Sequence, residues 1–138
     1  MADFDEAAVA IVTRFDATLL ESHPSVARIY DNQHAEPQAA SASWIRLSII
    51  GGGANMPEIG SRMADELGRA IAQIFTPVGI GDSLARQIAS SVRDALQGIR
   101  IGEVQLYATE ISSVPTEPGS PWRQLNASTR FRFESTPA

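Results

Sequence analysis

A small α+β domain is predicted by three features of the chain. From Leu125 to Phe133 the residues alternate strictly, with Leu125, Ala127, Thr129, Phe131 and Phe133 on one side and Asn126, Ser128, Arg130 and Arg132 on the other. A period of two marks a strand with one apolar and one hydrophilic face. Two other stretches carry apolar residues at helical spacing, one near the start and one ending at Gly98. Strand-like segments bracket the second, so the chain reads strand, helix, strand, strand from Gly68 onward. Such a layout presents surfaces; it does not suggest a cleft built for a reaction.

The first element is a helix from about Asp5 to Glu21. Ala8, Val12, Phe15 and Leu19, with Ile11 alongside, make its apolar stripe. Asp3, Asp5 and Glu6 stand at its start, where the helix dipole favours negative charge. His23-Pro24 ends it, because the residue before a proline is pushed out of the helical region. Residues 22–43 then read as an irregular polar connection in which Ile29-Tyr30 pair as a short edge strand. Trp44 to Ile50 is a strand, with Ile45, Leu47 and Ile49 on one face and Trp44, Arg46 and Ser48 on the other. Gly51-Gly52-Gly53-Ala54-Asn55 is expected to end it as a mobile loop.

Residues 56–67 carry mixed signals. Ile59, Met63, Leu67 and Ile71 fall at helical spacing, while Gly60 and Gly68 oppose a helix at about 1 kcal/mol each. Arg69 to Thr76 reads as a strand stopped by Pro77-Val78-Gly79. Asp82 is placed to cap the second helix, whose stripe is Leu84, Ile88, Val92, Ala95 and Leu96 and whose C-cap glycine is Gly98. Arg86, Gln87, Ser90, Arg93 and Asp94 form its wet side. Glu103 to Thr109 is a strand with Val104, Leu106 and Ala108 on one face. A loop from Ser112 to Pro121 holds three prolines and Gly119, and the last strand spans Trp122 to Glu134 before a frayed Ser-Thr-Pro-Ala tail.

Composition narrows the function classes. A chain of 138 residues has the length of one domain, which buries roughly two-thirds of its unfolded surface. Hydrophobic residues are 43% and charged residues 20%, as globular folding requires. No apolar run approaches the ~20 residues that span a bilayer, and the acidic start is unlike a signal peptide. The expectation is a soluble protein made in a cytoplasm. The chain has no cysteine, which excludes disulfides, thiolate metal sites and thiol nucleophiles. All eleven basic residues are arginine, so lysine Schiff-base and P-loop chemistry is excluded too. Arginine forks suit fixed bidentate contacts at interfaces. At a net charge of −5 the chain lacks the basic excess that non-specific nucleic-acid binding needs. Arg130 and Arg132 share a face, while Arg123 lies out of that register.

No motif supports catalysis. Gly51-Gly52-Gly53 is not followed by the Gly-Lys-Ser/Thr of a phosphate loop, and Gly79-Ile80-Gly81 lacks the third glycine of a dinucleotide fingerprint. His23 and His34 are the only histidines; with Asp31 and Glu36 nearby they still lack helical ligand spacing, so no metal is expected. Asp5/Glu6 and Asp65/Glu66 are adjacent carboxylates, and adjacency does not aim two acids into one pocket. No Gly-x-Ser-x-Gly elbow exists. The chain is read as having no catalytic, cofactor-binding or metal-binding residues. What remains belongs to contact surfaces: two glycine- or proline-rich loops, Trp44 and Trp122 read as exposed, and an all-arginine set of cations.

Several of these segments together resemble one family. Gln73-Ile74-Phe75-Thr76-Pro77-Val78-Gly79-Ile80-Gly81 leads into Ala85, Ile88-Ala89 and Val92-Arg93-Asp94-Ala95-Leu96-Gln97-Gly98. Ile101-Gly102-Glu103-Val104 and Trp122-Arg123-Gln124-Leu125-Asn126 follow, and Trp44 to Ile50 and Phe4 to Leu20 match upstream. The pattern is similar to the tail terminator (tail completion) proteins of long-tailed bacteriophages, prophages and gene transfer agents. The resemblance implies helices packed on one side of a mainly antiparallel sheet and an extended hairpin through Met56 to Phe75. It also implies a hexameric ring that caps the tail tube, ends its polymerisation and offers a docking face at the head–tail junction of the virion. The implied partners are further copies of the chain, the tail tube protein and the head–tail connector protein, with no membrane and no specific nucleic-acid binding. Trp44, Arg46, Gly51, Gly52, Gly53, Asn55 and Met56 are the expected contacts to a neighbour or the tube, and Trp122 and Arg123 those of a second interface. The rival expectations are a neck or head-closure connector and, from another class, a small-molecule-binding or enzymatic α+β dimer.

Overall fold

The computed structural model describes residues 3–33, 42–56, 60 and 62–135. Its elements in chain order are α1 (Phe4–Ser22), β1 (Ala27–Tyr30), β2 (Trp44–Asn55), β3 (Ala64–Pro77), α2 (Ser83–Leu96), β4 (Arg100–Ile101), β5 (Val104–Val114) and β6 (Trp122–Ser135). The strands form one sheet in the order β1-β2-β3-β6-β5-β4. Only β1 runs parallel to its neighbour; every other pairing is antiparallel. The α+β class is as the sequence predicts.

Alternation decides which face of the sheet is covered. Ile45 and Leu47 of β2, Ala70, Ala72 and Ile74 of β3, and Ala127, Phe131 and Phe133 of β6 are all buried. They meet Ala7, Ile11, Phe15 and Leu19 of α1 and Ala85, Ile88, Ala89, Val92, Ala95 and Leu96 of α2 in a single core. Small alanines on β3 and α2 let the helix lie close to the sheet, and the bulk comes from the phenylalanines. Thr109 and Thr129, both buried, satisfy each other through a 2.7 Å hydroxyl–hydroxyl hydrogen bond. Gly68 is required by packing: a Cβ there would stand 2.3 Å from the Phe131 ring and 2.8 Å from the Ile50 carbonyl oxygen.

The structure corrects several expectations. The glycine triplet does not end β2. The strand continues to Asn55, with Gly51 paired to Gly68 and Gly53 to Leu67 across a bulge. Glycine's low strand propensity is overridden because β3 offers a full ladder beside it. Residues 64–75 are extended, as the resemblance implies, and pair with β2 and β6, so the helical spacing of Met63, Leu67 and Ile71 is fortuitous; Ile59 lies outside the described residues. The stripe of α1 is turned one position, with Ala7 buried where Ala8 was expected, and Ala8 and Val12 only half-buried. Asp82 makes no side-chain cap; its carboxylate takes the Arg123 guanidinium instead. Ser112 to Val114 belong to β5, and a register shift between Leu106 and Thr109 exposes Ala108. The short strand β4 was not foreseen. At the other edge β1 extends the expected Ile29-Tyr30 pair by two residues, and Gly98 ends α2 with a φ of +65°.

Candidate assembly surfaces

The face of the sheet away from the helices is open, and register fixes which residues share it. Trp44 opposes Phe75, Arg46 opposes Gln73, Ser48 opposes Ile71 and Ile50 opposes Arg69 between β2 and β3. Between β3 and β6, Pro77 opposes Trp122, Gln73 opposes Asn126, Ile71 opposes Ser128 and Arg69 opposes Arg130. One end of this face is an aromatic shelf. The Trp44 and Phe75 rings stack at 4.0 Å, and Trp122 meets Trp44 edge-on at 5.7 Å. Both tryptophans are half-buried and packed edge to face on each other, where the sequence reading has them exposed. The Trp122 indole donates a 3.1 Å hydrogen bond to the Ala42 carbonyl, whereas the buried Trp44 indole N–H has no partner among the described residues.

The opposite end of the open face is basic and partly apolar. Ile50, Leu67 and Tyr107 are 48%, 47% and 45% exposed. Leu67, Tyr107, Ala108, Glu110 and Arg130 line a shallow hollow of about 520 Å³ there. Among the described residues the guanidinium groups of Arg46, Arg69 and Arg130 enter no hydrogen bond or ion pair. Arg132, further along β6, is held 2.6 Å from Asp65 with Glu134 at 3.7 Å. Its bonding to Asp65 raises its pKa further. Glu66 turns to the other face and accepts a 3.0 Å bond from Ser135, so the adjacent carboxylates Asp65 and Glu66 diverge. Arg123 also lies across the sheet from Arg46, paired to Asp82 beside the start of α2.

A second surface lies along α1. Phe4, Asp5, Ala8, Val9 and Val12 line a groove of about 460 Å³ together with Ile49. Asp3 accepts a 2.8 Å bond from the Glu6 amide and is used as the helix cap, while Asp5 and Glu6 are exposed and their carboxylates have no partner among the described residues. At the groove's rim the edge strand β1 is tethered to α1. The Tyr30 hydroxyl and the Arg28 guanidinium both donate to Asp16, which lowers the Asp16 pKa. Burial and the same carboxylate raise that of Tyr30.

The candidate residues therefore divide. Trp44 and Arg46 share the open face with Trp122, while Gly51, Gly52, Gly53 and Asn55 lie in the outer half of β2 and Met56, exposed, just beyond it. Arg123 belongs to the helix-covered side. Alternation placed Arg130 on the open face from the sequence, whereas Phe75 and Arg69 were not singled out, although the same alternation along β3 puts them there. His23 contacts Ser91 and Ser22 at 3.3 and 3.2 Å, and His34 and Glu36 lie outside the described residues. No group of three potential metal-binding side chains occurs among the described residues. Among the described residues no helix is long and apolar enough to cross a membrane.

Comparison with known proteins adds the fold. No family model and no curated protein matches the chain. Solved structures do. One, known only by a sequence label, superposes with a TM-score of 0.68 over 100% of both chains at 16% identity. Another is a chain of the "Virion of native gene transfer agent (GTA) particle", with a TM-score of 0.55 at 16% identity over 92% of this chain and 93% of that one. What is shared is the fold.

Proposed function

We propose that this chain is a structural, non-enzymatic virion assembly protein, a tail terminator. It forms a ring on the end of a tail tube, halts tube growth and presents the docking face for the head–tail connector. The observation that carries this reading is the fold it has in common, over nearly its whole length, with a chain of a gene transfer agent virion. The surfaces support it. The side chains with interface chemistry lie on broad faces, an open sheet and a helix groove. A ring stops polymerisation when one of its faces matches the tube end and the other cannot accept a further tube subunit. Its partners are other copies of itself, the tube protein and the connector protein, at the head–tail junction.

The test is mass in solution by light scattering, alone and with purified tail tubes, followed by electron microscopy of the mixture. The expected result is a ring, or a monomer that appears as a cap on one tube end. A stable dimer that ignores tubes sinks the proposal, and a ring that binds the connector but never the tube replaces it with a neck protein.

A further inference from the structure

Arg69 and Arg130 face each other directly across β3 and β6 on the open face. Like charges in direct opposition destabilise a sheet. Within the described residues no carboxylate engages either of them. Three other arginines of the fold are ion-paired: Arg132 with Asp65, Arg123 with Asp82 and Arg28 with Asp16. The unpaired couple is flanked by half-exposed Ile50, Leu67 and Tyr107, the mixture of arginine and apolar area found at the centres of protein interfaces.

We infer that this basic, half-apolar patch docks on the first turn of α1 of a second copy of the chain. That turn supplies the complementary chemistry. Asp5 and Glu6 are exposed and without a side-chain partner among the described residues, with Phe4 and Val9 at 39% and 55% exposure beside them. α1 covers the opposite face of the sheet, so one molecule cannot bring its own two patches together. Two different complementary patches on one subunit make a head-to-tail contact that closes into a ring. The inference rests on the proposed ring-forming role and adds which surface meets which. A nucleic-acid phosphate is the lesser match: the chain carries a net charge of −5 and aliphatic side chains flank the arginines.

Complementary charge reversal tests it. One variant carries Arg69→Glu with Arg130→Glu, the other Asp5→Arg with Glu6→Arg. Each alone presents like charges at the contact. An equimolar mixture restores opposite charges at every contact of an alternating ring. The expected result is that wild type self-associates below about 1 mM, the weak end of specific binding. Each variant alone then associates at least about 100-fold more weakly, since opposed like charges cost several kcal/mol. The mixture recovers wild-type mass, and added salt weakens all of these contacts. Circular dichroism establishes folding, and Arg69→Gln with Arg130→Gln serves as a milder variant without new charge. A mixture no larger than its parts overturns the inference, as does wild type that stays monomeric to about 1 mM. Retained self-association with lost binding of single-stranded DNA overturns it in favour of a nucleic-acid surface. Rings that assemble as expected but ignore tail tubes leave this contact standing while the terminator reading falls. Tubes capped equally well by the Arg69→Glu, Arg130→Glu variant do the reverse.

Discussion

The two faces of the sheet are built from the same three central strands, yet they follow different rules. On the covered face nearly every side chain is apolar and every close approach is used, down to Gly68 under the Phe131 ring. On the open face β3 and β6 place Arg69 against Arg130, leave Ile50 and Leu67 half exposed, and carry an aromatic shelf at one end. Packing within one chain explains nearly all of the first face, the exception being the buried Thr76 hydroxyl, which has no partner among the described residues. The second contains choices that cost the isolated chain stability, and these are the places to look for a partner.

The sharpest way to separate the faces is to mutate along a single strand. Phe131→Ala, on the covered side of β6, removes a fully buried ring and is expected to cost about 4 kcal/mol, measured by urea unfolding. Gly68→Ala drives a methyl group into Phe131 and the Ile50 carbonyl, and is expected to cost about 3 kcal/mol. If Gly68→Ala melted like wild type, the close approach between β3 and the Phe131 ring would be wrong. Arg130→Thr, one residue from Phe131 but on the open face, should do the opposite. It relieves the opposition to Arg69 and is expected to raise the stability of the isolated chain by about 0.5 kcal/mol while weakening self-association. A loss of stability there would mean that Arg130 has a structural partner within the chain.

Acid titration probes the edge between the faces. Asp16 is held below its ordinary value of 3.8 by the Tyr30 hydroxyl and then by Arg28. A carboxylate with a depressed folded pKa contributes stability that is complete above the unfolded value and is lost as pH falls through the folded one. Asp16→Asn should therefore be less stable than wild type at pH 7, by under about 1 kcal/mol because the pair is partly exposed. The gap should close as the solution is acidified below pH 3.8. A gap that persists in acid would show that the tether acts by shape and not by charge.

How much of this was legible beforehand varies with the length of the signal. The alternation of Leu125 to Phe133 located β6, its covered face and its wet face, because a period of two survives into any sheet. The second helix was equally plain from its stripe and Gly98. The glycine triplet misled, since glycine's preference for loops is weak against a ready ladder from β3. Asp82 misled for a similar reason: two uses competed for one carboxylate, and Arg123, distant in sequence, won. Of the expected contact residues, Trp44 and Arg46 were correctly set apart from Ile45 and Leu47. Arg130 was legible from the alternation of β6, whereas Phe75 and Arg69 join it only through the pairing of β3 with β6.

By itself the sequence determined the class of fold, the two helices, most of the strands and, away from the bulges, which side chains of a strand share a face, since periodicity is a local property of the chain. Only the tertiary structure decided which strands are neighbours and in what register. That choice brings Trp44, Phe75 and Trp122 together from three strands, sets Arg69 against Arg130, and carries β2 past its glycines. Register is a relation between segments far apart in sequence, fixed by the burial of one whole face at once, and no single stretch of the chain contains it.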